Sequence, residues 1–193
     1  MSISEILRHT PTWVWLLLAF LLYRGLKAMV PRTMAPRRML ILPVVFFVWA
    51  VHGMLGELGA LGYALTGFGV ALVVGVLFGR YLGYRQAAPE YDPGHGVIRR
   101  PGSVVTLVLI VVAFVSKYTL SVYLAYRPEL AVTVGYCGLY GALSGLTDGV
   151  FWGVMFTQLG RAIRGAGIAP TPANLLQVMF AESPAAEVSG RRR

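Results

Sequence analysis

Five long runs of apolar residues, separated by short polar stretches, constrain this chain more than any other feature of its sequence. Each run approaches or exceeds the length of helix that crosses the hydrocarbon core of a bilayer, which is about 20 residues. Only 13% of the 193 residues are charged, whereas a soluble domain carries about 25%. The charges cluster between the apolar runs, so the pattern predicts an all-α fold, an integral membrane bundle of five transmembrane helices.

The predicted organisation is one transmembrane domain followed by a tail. Residues 1–164 are predicted to form the five-helix domain, with the spans at about 11–29, 39–54, 63–82, 102–124 and 130–156. Residues 165–193 are predicted to form a cytoplasmic tail that contains a short interfacial helix. Four apolar residues are predicted to face the membrane there: Leu175, Leu176, Met179 and Phe180. The loop 80–101 contains Pro89, Pro93, Gly94 and Gly96, and is predicted to lack regular structure.

Lysine and arginine are distributed unequally between the two predicted sides of the bundle. Five lie in the 24–38 region, four in the 80–100 loop and five in the C-terminal part, whereas the other side has only Arg8 and Arg127. Because basic loops stay in the cytoplasm, this pattern places the N-terminus outside and the C-terminus in the cytoplasm. The net charge of +9 therefore indicates contact with anionic membrane lipids and not with nucleic acid.

Two rows of glycines recur at intervals of four residues within predicted spans. They are Gly75, Gly79 and Gly83 in the third span, and Gly141, Gly145, Gly149 and Gly153 in the fifth. On a helix this spacing forms a flat ridge that another backbone can approach closely. We expect the ridges to pack helices within the chain, with docking of a partner membrane protein or a second copy as the alternative. A polar row at the same spacing lies beside the second ridge: Tyr140, Ser144 and Asp148.

Lys117 and Asp148 are ionisable residues within predicted spans four and five. A charge near the centre of a span costs about 2.5–3.5 kcal/mol on insertion scales, so it has a partner or a function. In a closely connected antiparallel hairpin the two are offset by about ten residues, or about 15 Å of helical rise. This offset argues against a direct ion pair, which is kept as the alternative. The expected contacts are Tyr136 or Tyr140 for Lys117, and Thr106 or a cytoplasmic cation for Asp148.

Several short motifs occur in an order that resembles a family of small, functionally uncharacterised bacterial inner-membrane proteins. They are His9-Thr10-Pro11-Thr12-Trp13-Val14, Leu42-Pro43, Tyr91-Asp92, Pro101-Gly102-Ser103, Lys117-Tyr118 and Tyr140-Gly141-Ala142-Leu143-Ser144-Gly145. The resemblance covers roughly residues 7–161, and it implies a bacterial inner-membrane location and a compact helical bundle. Asp148 departs from the pattern, which has no acidic residue at that position.

Catalytic and cofactor motifs do not stand out in the sequence. His9, His52 and Glu57 do not have the spacing of known metal ligands. We therefore predict no cofactor and lean against an enzyme, with a lipid-directed enzyme using His95 and Asp92 as the weakest alternative.

The favoured interpretation is a polar groove between helices four and five that binds or moves a small solute, a proton or a lipid. Four residues would line it: Lys117, Tyr140, Ser144 and Asp148. The alternative is an accessory subunit that docks a partner through its glycine-rich helix faces.

Overall fold

The computed structural model describes residues 12–180, except for the side chain of Trp13. Arg8, His9, the start of the first predicted span and the tail beyond residue 180 lie outside these residues. Six α-helices follow one another: α1 (Thr12–Ala28), α2 (Ile41–Glu57), α3 (Leu61–Arg85), α4 (Val104–Tyr126), α5 (Val134–Gly165) and α6 (Pro172–Phe180). Of the described residues 79% are helical, so the prediction of a mostly helical fold is confirmed.

Three of the helices are long and apolar enough to cross a membrane. They are the stretch Pro36–Glu57, which adds a short 3₁₀ turn to α2, together with α3 and α4, and each has a mean hydropathy of 2.1. Helix α1 contributes 17 residues. Helix α5 is the longest, with 32 residues, and it contains the second glycine row and most of the buried polar side chains.

A small antiparallel sheet accompanies the helices, so the fold is not purely α-helical. Its strands are β1 (Arg32–Met34), β2 (Glu90–Asp92) and β3 (Val97–Arg100), in the order β1-β3-β2. The prediction that the loop 80–101 lacks regular structure is therefore wrong. Pro93, Gly94 and Gly96 form the turn of a hairpin, and β1 supplies the third strand from a distant part of the chain.

The turn between β2 and β3 is closed by Asp92. One carboxylate oxygen accepts hydrogen bonds from the backbone N–H groups of Gly94 at 2.9 Å and His95 at 3.3 Å. The other oxygen lies 2.7 Å from His95 Nδ1. The hydrogen bond from the His95 side chain lowers the pKa of Asp92. The pair is thus a local element of turn structure, and this accounts for both residues without a lipid-directed activity.

The connections between the helices separate into two groups at opposite ends of the bundle. At the end that we call the basic end, residues 29–40, residues 86–103 and α6 pack together with the last turns of α5. At the opposite end, Gly59 N donates a 2.8 Å hydrogen bond to Ala131 O and joins the two other connections. Successive helices α1 to α5 therefore alternate in direction, and α3 runs parallel to α5.

Helix α6 packs onto the basic end with only part of its apolar surface. Val178 and Met179 are buried against Met34, Ile98 and other apolar residues there. Leu176 and Phe180 remain exposed. The face predicted to lie on the membrane is thus divided between protein contact and an exposed edge.

Helices α3 and α5 pack backbone against backbone through the two glycine rows. A side chain at Gly141, Gly145, Gly149 or Gly153 would collide with the carbonyl oxygens of Ala64, Phe68, Leu72 and Val76, respectively. In the reverse direction, a side chain at Gly75 or Gly79 would collide with α5 backbone, and one at Gly83 with the side chain of Thr157. Each row is therefore covered by the facing helix within the chain.

Candidate functional site

Lys117 and Asp148 form a direct ion pair in the middle of the helical bundle. Lys117 Nζ lies 3.7 Å from Asp148 Oδ1, and the two side chains are 1% and 0% exposed. Lys117 Nζ also donates a 3.0 Å hydrogen bond to Phe46 O of α2. The sequence-based expectation that the two residues do not pair is therefore wrong.

The direction in which helical side chains lean accounts for this result. Cα–Cβ bonds tilt toward the N-terminus of their own helix. Because α4 and α5 are antiparallel, Lys117 leans toward the basic end while Asp148 leans away from it. This lean closes part of the offset, chiefly through the long lysine side chain. A contact at 3.7 Å also requires that the two Cα atoms be offset by less than the predicted rise of about 15 Å, so the hairpin register assumed from the sequence is wrong as well.

The other contacts expected for this pair are also absent from the described structure. Tyr136 Oη donates instead to Leu120 O at 2.6 Å. Thr106, which was expected beside Asp148, accepts a 3.3 Å hydrogen bond from Arg100.

The polar atoms around the ion pair retain unused hydrogen-bonding capacity. Neither carboxylate oxygen of Asp148 has a hydrogen-bond partner among residues 12–180, and the same holds for Ser144 Oγ. The 3.7 Å distance to Lys117 Nζ is within ion-pair range but longer than a hydrogen bond. Buried polar atoms in native proteins are nearly always paired, so three unpaired oxygens within one turn of α5 mark this place as unusual.

Tyr140 lies on the polar row of α5 but belongs to a different neighbourhood. Its side chain is buried, and its hydroxyl lies against Gly53 of α2 and within hydrogen-bonding reach of Ser121. It packs in the apolar cluster at the opposite end of the bundle, together with Met54 and Leu124. The structure thus pairs Lys117 with Asp148, places Ser144 about one turn before Asp148 on α5, and directs Tyr140 toward Gly53 and Ser121.

An aromatic pair lies next to the ion pair, on its side toward the basic end. Phe151, one helical turn after Asp148, stacks on Phe46 with ring centroids 4.9 Å apart. Beyond Phe151 is a cavity of about 30 Å³, lined in part by Thr106 and Arg100. This small, mainly apolar cavity therefore lies between Arg100 at the basic end and the ring of Phe151.

Sequence reasoning missed the residues that join α3 to α5 at the basic end. Gln158 Nε2 donates to Gly83 O at 2.8 Å, and Arg161 donates to Gly83 O at 2.9 Å and Gln86 O at 2.7 Å. These bonds satisfy carbonyl groups at the end of α3 that lack helical partners. A buried glutamine beyond the predicted end of span five was the available signal.

The described residues define a mostly helical protein with three helices long and apolar enough to cross a membrane, and with a lysine–aspartate pair buried where α2, α4 and α5 meet. The chain belongs to the family of unknown function DUF6622, whose model matches residues 1–173. This confirms the predicted resemblance to a functionally uncharacterised family. Neither the curated proteins nor the solved structures include a match.

Proposed function

We propose that this protein crosses the bacterial inner membrane five times and binds a proton at the Lys117–Asp148 pair. The observation that carries the proposal is the Asp148 carboxylate, which is fully buried and has no hydrogen-bond partner for either oxygen among the described residues. Ionisable residues inside a membrane are rare and commonly mark proton or ion pathways.

The arrangement of the helices supports the five-span topology. Helices α2, α3 and α4 have the length and hydropathy of membrane spans. Helices α1 and α5 flank them and continue the alternation in direction. The basic connections lie together at one end, which is expected of a cytoplasmic side. Reporter fusions at the two chain ends should therefore report opposite compartments, and reports from the same compartment would contradict the topology.

The surroundings of the pair favour a proton over a larger solute. Lys117 and Asp148 are closed off on all sides, so whatever reaches them in this conformation must be very small. If Asp148 takes up a proton, Lys117 loses its anionic partner but keeps the Phe46 carbonyl at 3.0 Å as an acceptor. The site can therefore hold the lysine charge in both protonation states of the carboxyl group.

The two sides of the site differ in the access that they offer. Toward the opposite end, a continuous apolar cluster that includes Met54, Leu120 and Tyr136 separates the pair from the surface. Toward the basic end, the rings of Phe46 and Phe151 stack beside the pair, and Phe151 also lines a small cavity. We therefore assign proton entry to the basic end, with movement of these rings as the opening step.

Proton flux through reconstituted vesicles tests the proposal. Asp148→Asn removes the titratable group with little change in shape, and Glu129→Gln makes the equivalent change at a surface carboxylate that is 61% exposed. Under an imposed pH gradient, we expect the wild type and Glu129→Gln to conduct protons alike and Asp148→Asn to lose most of the flux. Equal flux in the wild type and a folded Asp148→Asn variant would contradict the proposal.

Docking of a partner through the glycine-rich faces receives no support of this kind. The glycines of each row are already covered by the facing helix in the α3–α5 contact. A partner protein would have to use another surface.

A further inference from the structure

A polar cavity lies at the basic end, apart from the ion pair. Its volume is about 270 Å³, and it lies where α3 ends and α4 begins. Its polar lining consists of Arg85, Gln86, Arg100, Ser103 and Gln158. None of the described residues that line it is acidic, so this lining has a strongly positive character.

Arg100 supplies an uncompensated charge to this cavity. Its guanidinium donates to Thr106 Oγ1 at 3.3 Å and weakly to Gln86 Oε1 at 3.5 Å. Among the described residues no carboxylate pairs with it. Burial, together with the neighbouring charges of Arg32 and Arg24, lowers the pKa of Arg100 to about 10. The guanidinium stays charged at neutral pH. A bound anion would offset the cost of burying this charge and the repulsion from Arg32 and Arg24.

Neutral hydrogen-bond donors also converge on the cavity. Gln86 Nε2 is buried and has no acceptor among residues 12–180. Ser103 precedes α4 without capping it through its side chain, and Val104 and Val105 line the cavity as the first residues of that helix. The N–H groups at a helix N-terminus carry partial positive charge and are suited to bind an oxyanion.

We propose that this cavity, between the end of α3 and the start of α4, binds a phosphate group. Arginine presents a planar fork of donors that matches phosphate oxygens, and α4 and Gln86 add donors from other directions. The phosphate belongs either to the headgroup of an anionic lipid or to free phosphate. If α3 and α4 span the membrane, the cavity lies at the depth of the cytoplasmic headgroups. The inference does not depend on the role of Lys117 and Asp148.

Two variants test the site while protecting the fold. Gln86→Glu places a carboxylate where the amide now accepts from Arg100, so the contact is kept as an ion pair and the cavity loses its affinity for anions. Arg100→Gln removes the charge itself. Arg127→Gln, at an arginine that is 60% exposed at the opposite end, is the matched control for loss of one positive charge.

Binding is measured by native mass spectrometry and thermal shift on the full-length protein in detergent micelles. The probes are inorganic phosphate, phosphatidylglycerol and, as the zwitterionic comparison, phosphatidylcholine. We expect Gln86→Glu and Arg100→Gln to weaken binding of at least one anionic probe by about tenfold or more, as expected for loss of a charge-assisted contact. Arg127→Gln should bind like the wild type.

The outcomes distinguish a lipid headgroup from free phosphate as the ligand, and they also show whether the proposal fails. Loss confined to inorganic phosphate identifies a free-phosphate site, and loss confined to phosphatidylglycerol identifies a headgroup site. The proposal is overturned if folded Gln86→Glu binds both anionic probes as the wild type does. It is equally overturned if Arg127→Gln weakens binding as much as Arg100→Gln.

Discussion

Helix α5 has two faces that pack in different ways, one through glycines and one through a buried ion pair. On one face, glycines such as Gly145 allow the α3 backbone to approach so closely that no side chain would fit. On the other face, Asp148 is buried against Lys117 with hydrogen-bonding capacity to spare. A side chain on the first face would collide with the α3 backbone, whereas the second face holds a carboxylate whose oxygens have no hydrogen-bond partner among the described residues.

This difference indicates that the two faces of α5 have different roles. Backbone packing between helices gives close van der Waals contact and stabilises their positions without polar groups. Buried ion pairs contribute little net stability because desolvation offsets their attraction. The α3–α5 contact therefore fixes α5 in place, and the α2–α4–α5 region places Asp148 where its protonation can matter.

The largest expected effect comes from filling the glycine face. Gly145→Leu forces a side chain into the carbonyl of Phe68, so α3 and α5 must separate. Backbone shifts on overpacking typically cost about 1–3 kcal/mol, and more when backbone is the obstacle. We expect loss of monodisperse protein in size-exclusion chromatography. Gly69→Leu, at a glycine on α3 with open space around it, is the control and should purify normally.

If Gly145→Leu instead gives folded protein that only fails to retain a second protein, the glycine row serves docking. The glycine face would then not be the one that fixes α5 in place, and the contrast between the two faces would not hold.

An intermediate effect is expected from breaking the ion pair on one side. Lys117→Met leaves Asp148 buried without its counter-ion and should lower the free energy of unfolding by about 3–5 kcal/mol. The double variant Lys117→Met with Asp148→Leu removes both charges and should recover most of that loss. Thermal unfolding in detergent measures both. A double variant that is less stable than Lys117→Met would show that the pair itself holds the helices together.

The smallest effect on stability is expected from Ser144→Ala. Its hydroxyl is buried and has no partner among the described residues, so its removal relieves an unpaired polar group. We expect the free energy of unfolding to change by less than about 1 kcal/mol, while proton flux falls if Ser144 assists Asp148. Cys137→Ala, at a residue in the apolar cluster near Tyr140, should leave flux unchanged. A large destabilisation by Ser144→Ala would place the hydroxyl in the structural framework.

The features predicted correctly from the sequence are those that depend on local pattern. The apolar run predicted at 102–124 is a helix at Val104–Tyr126, because hydropathy and length suffice to define such an element. The spacing of the glycines pointed to close helix packing for the same reason. It gave no direction for the partner helix, which is parallel and comes from α3.

The features missed are those that depend on contacts between distant residues. The hairpin β2–β3 pairs with β1, whose position more than 60 residues earlier leaves no local trace. Comparison of Cα levels disfavoured the Lys117–Asp148 pair, because it assumed the wrong hairpin register and left out the reach and lean of the side chains. Arg100 counted only as one charge in a basic loop, because nothing in the sequence shows that the loop folds back over a cavity.

The central claim, that Asp148 exchanges a proton inside the bundle, is tested most directly by infrared difference spectroscopy. Spectra of the reconstituted protein are compared between about pH 4 and about pH 9, which brackets the ordinary titration of carboxyl groups. The other carboxyl groups of the chain also titrate in this range. We therefore predict a C=O component that appears on acidification in the wild type and in Glu129→Gln and is missing from the difference spectrum of Asp148→Asn. Identical difference spectra for the wild type and Asp148→Asn would contradict the claim and leave the pair a fixed structural contact.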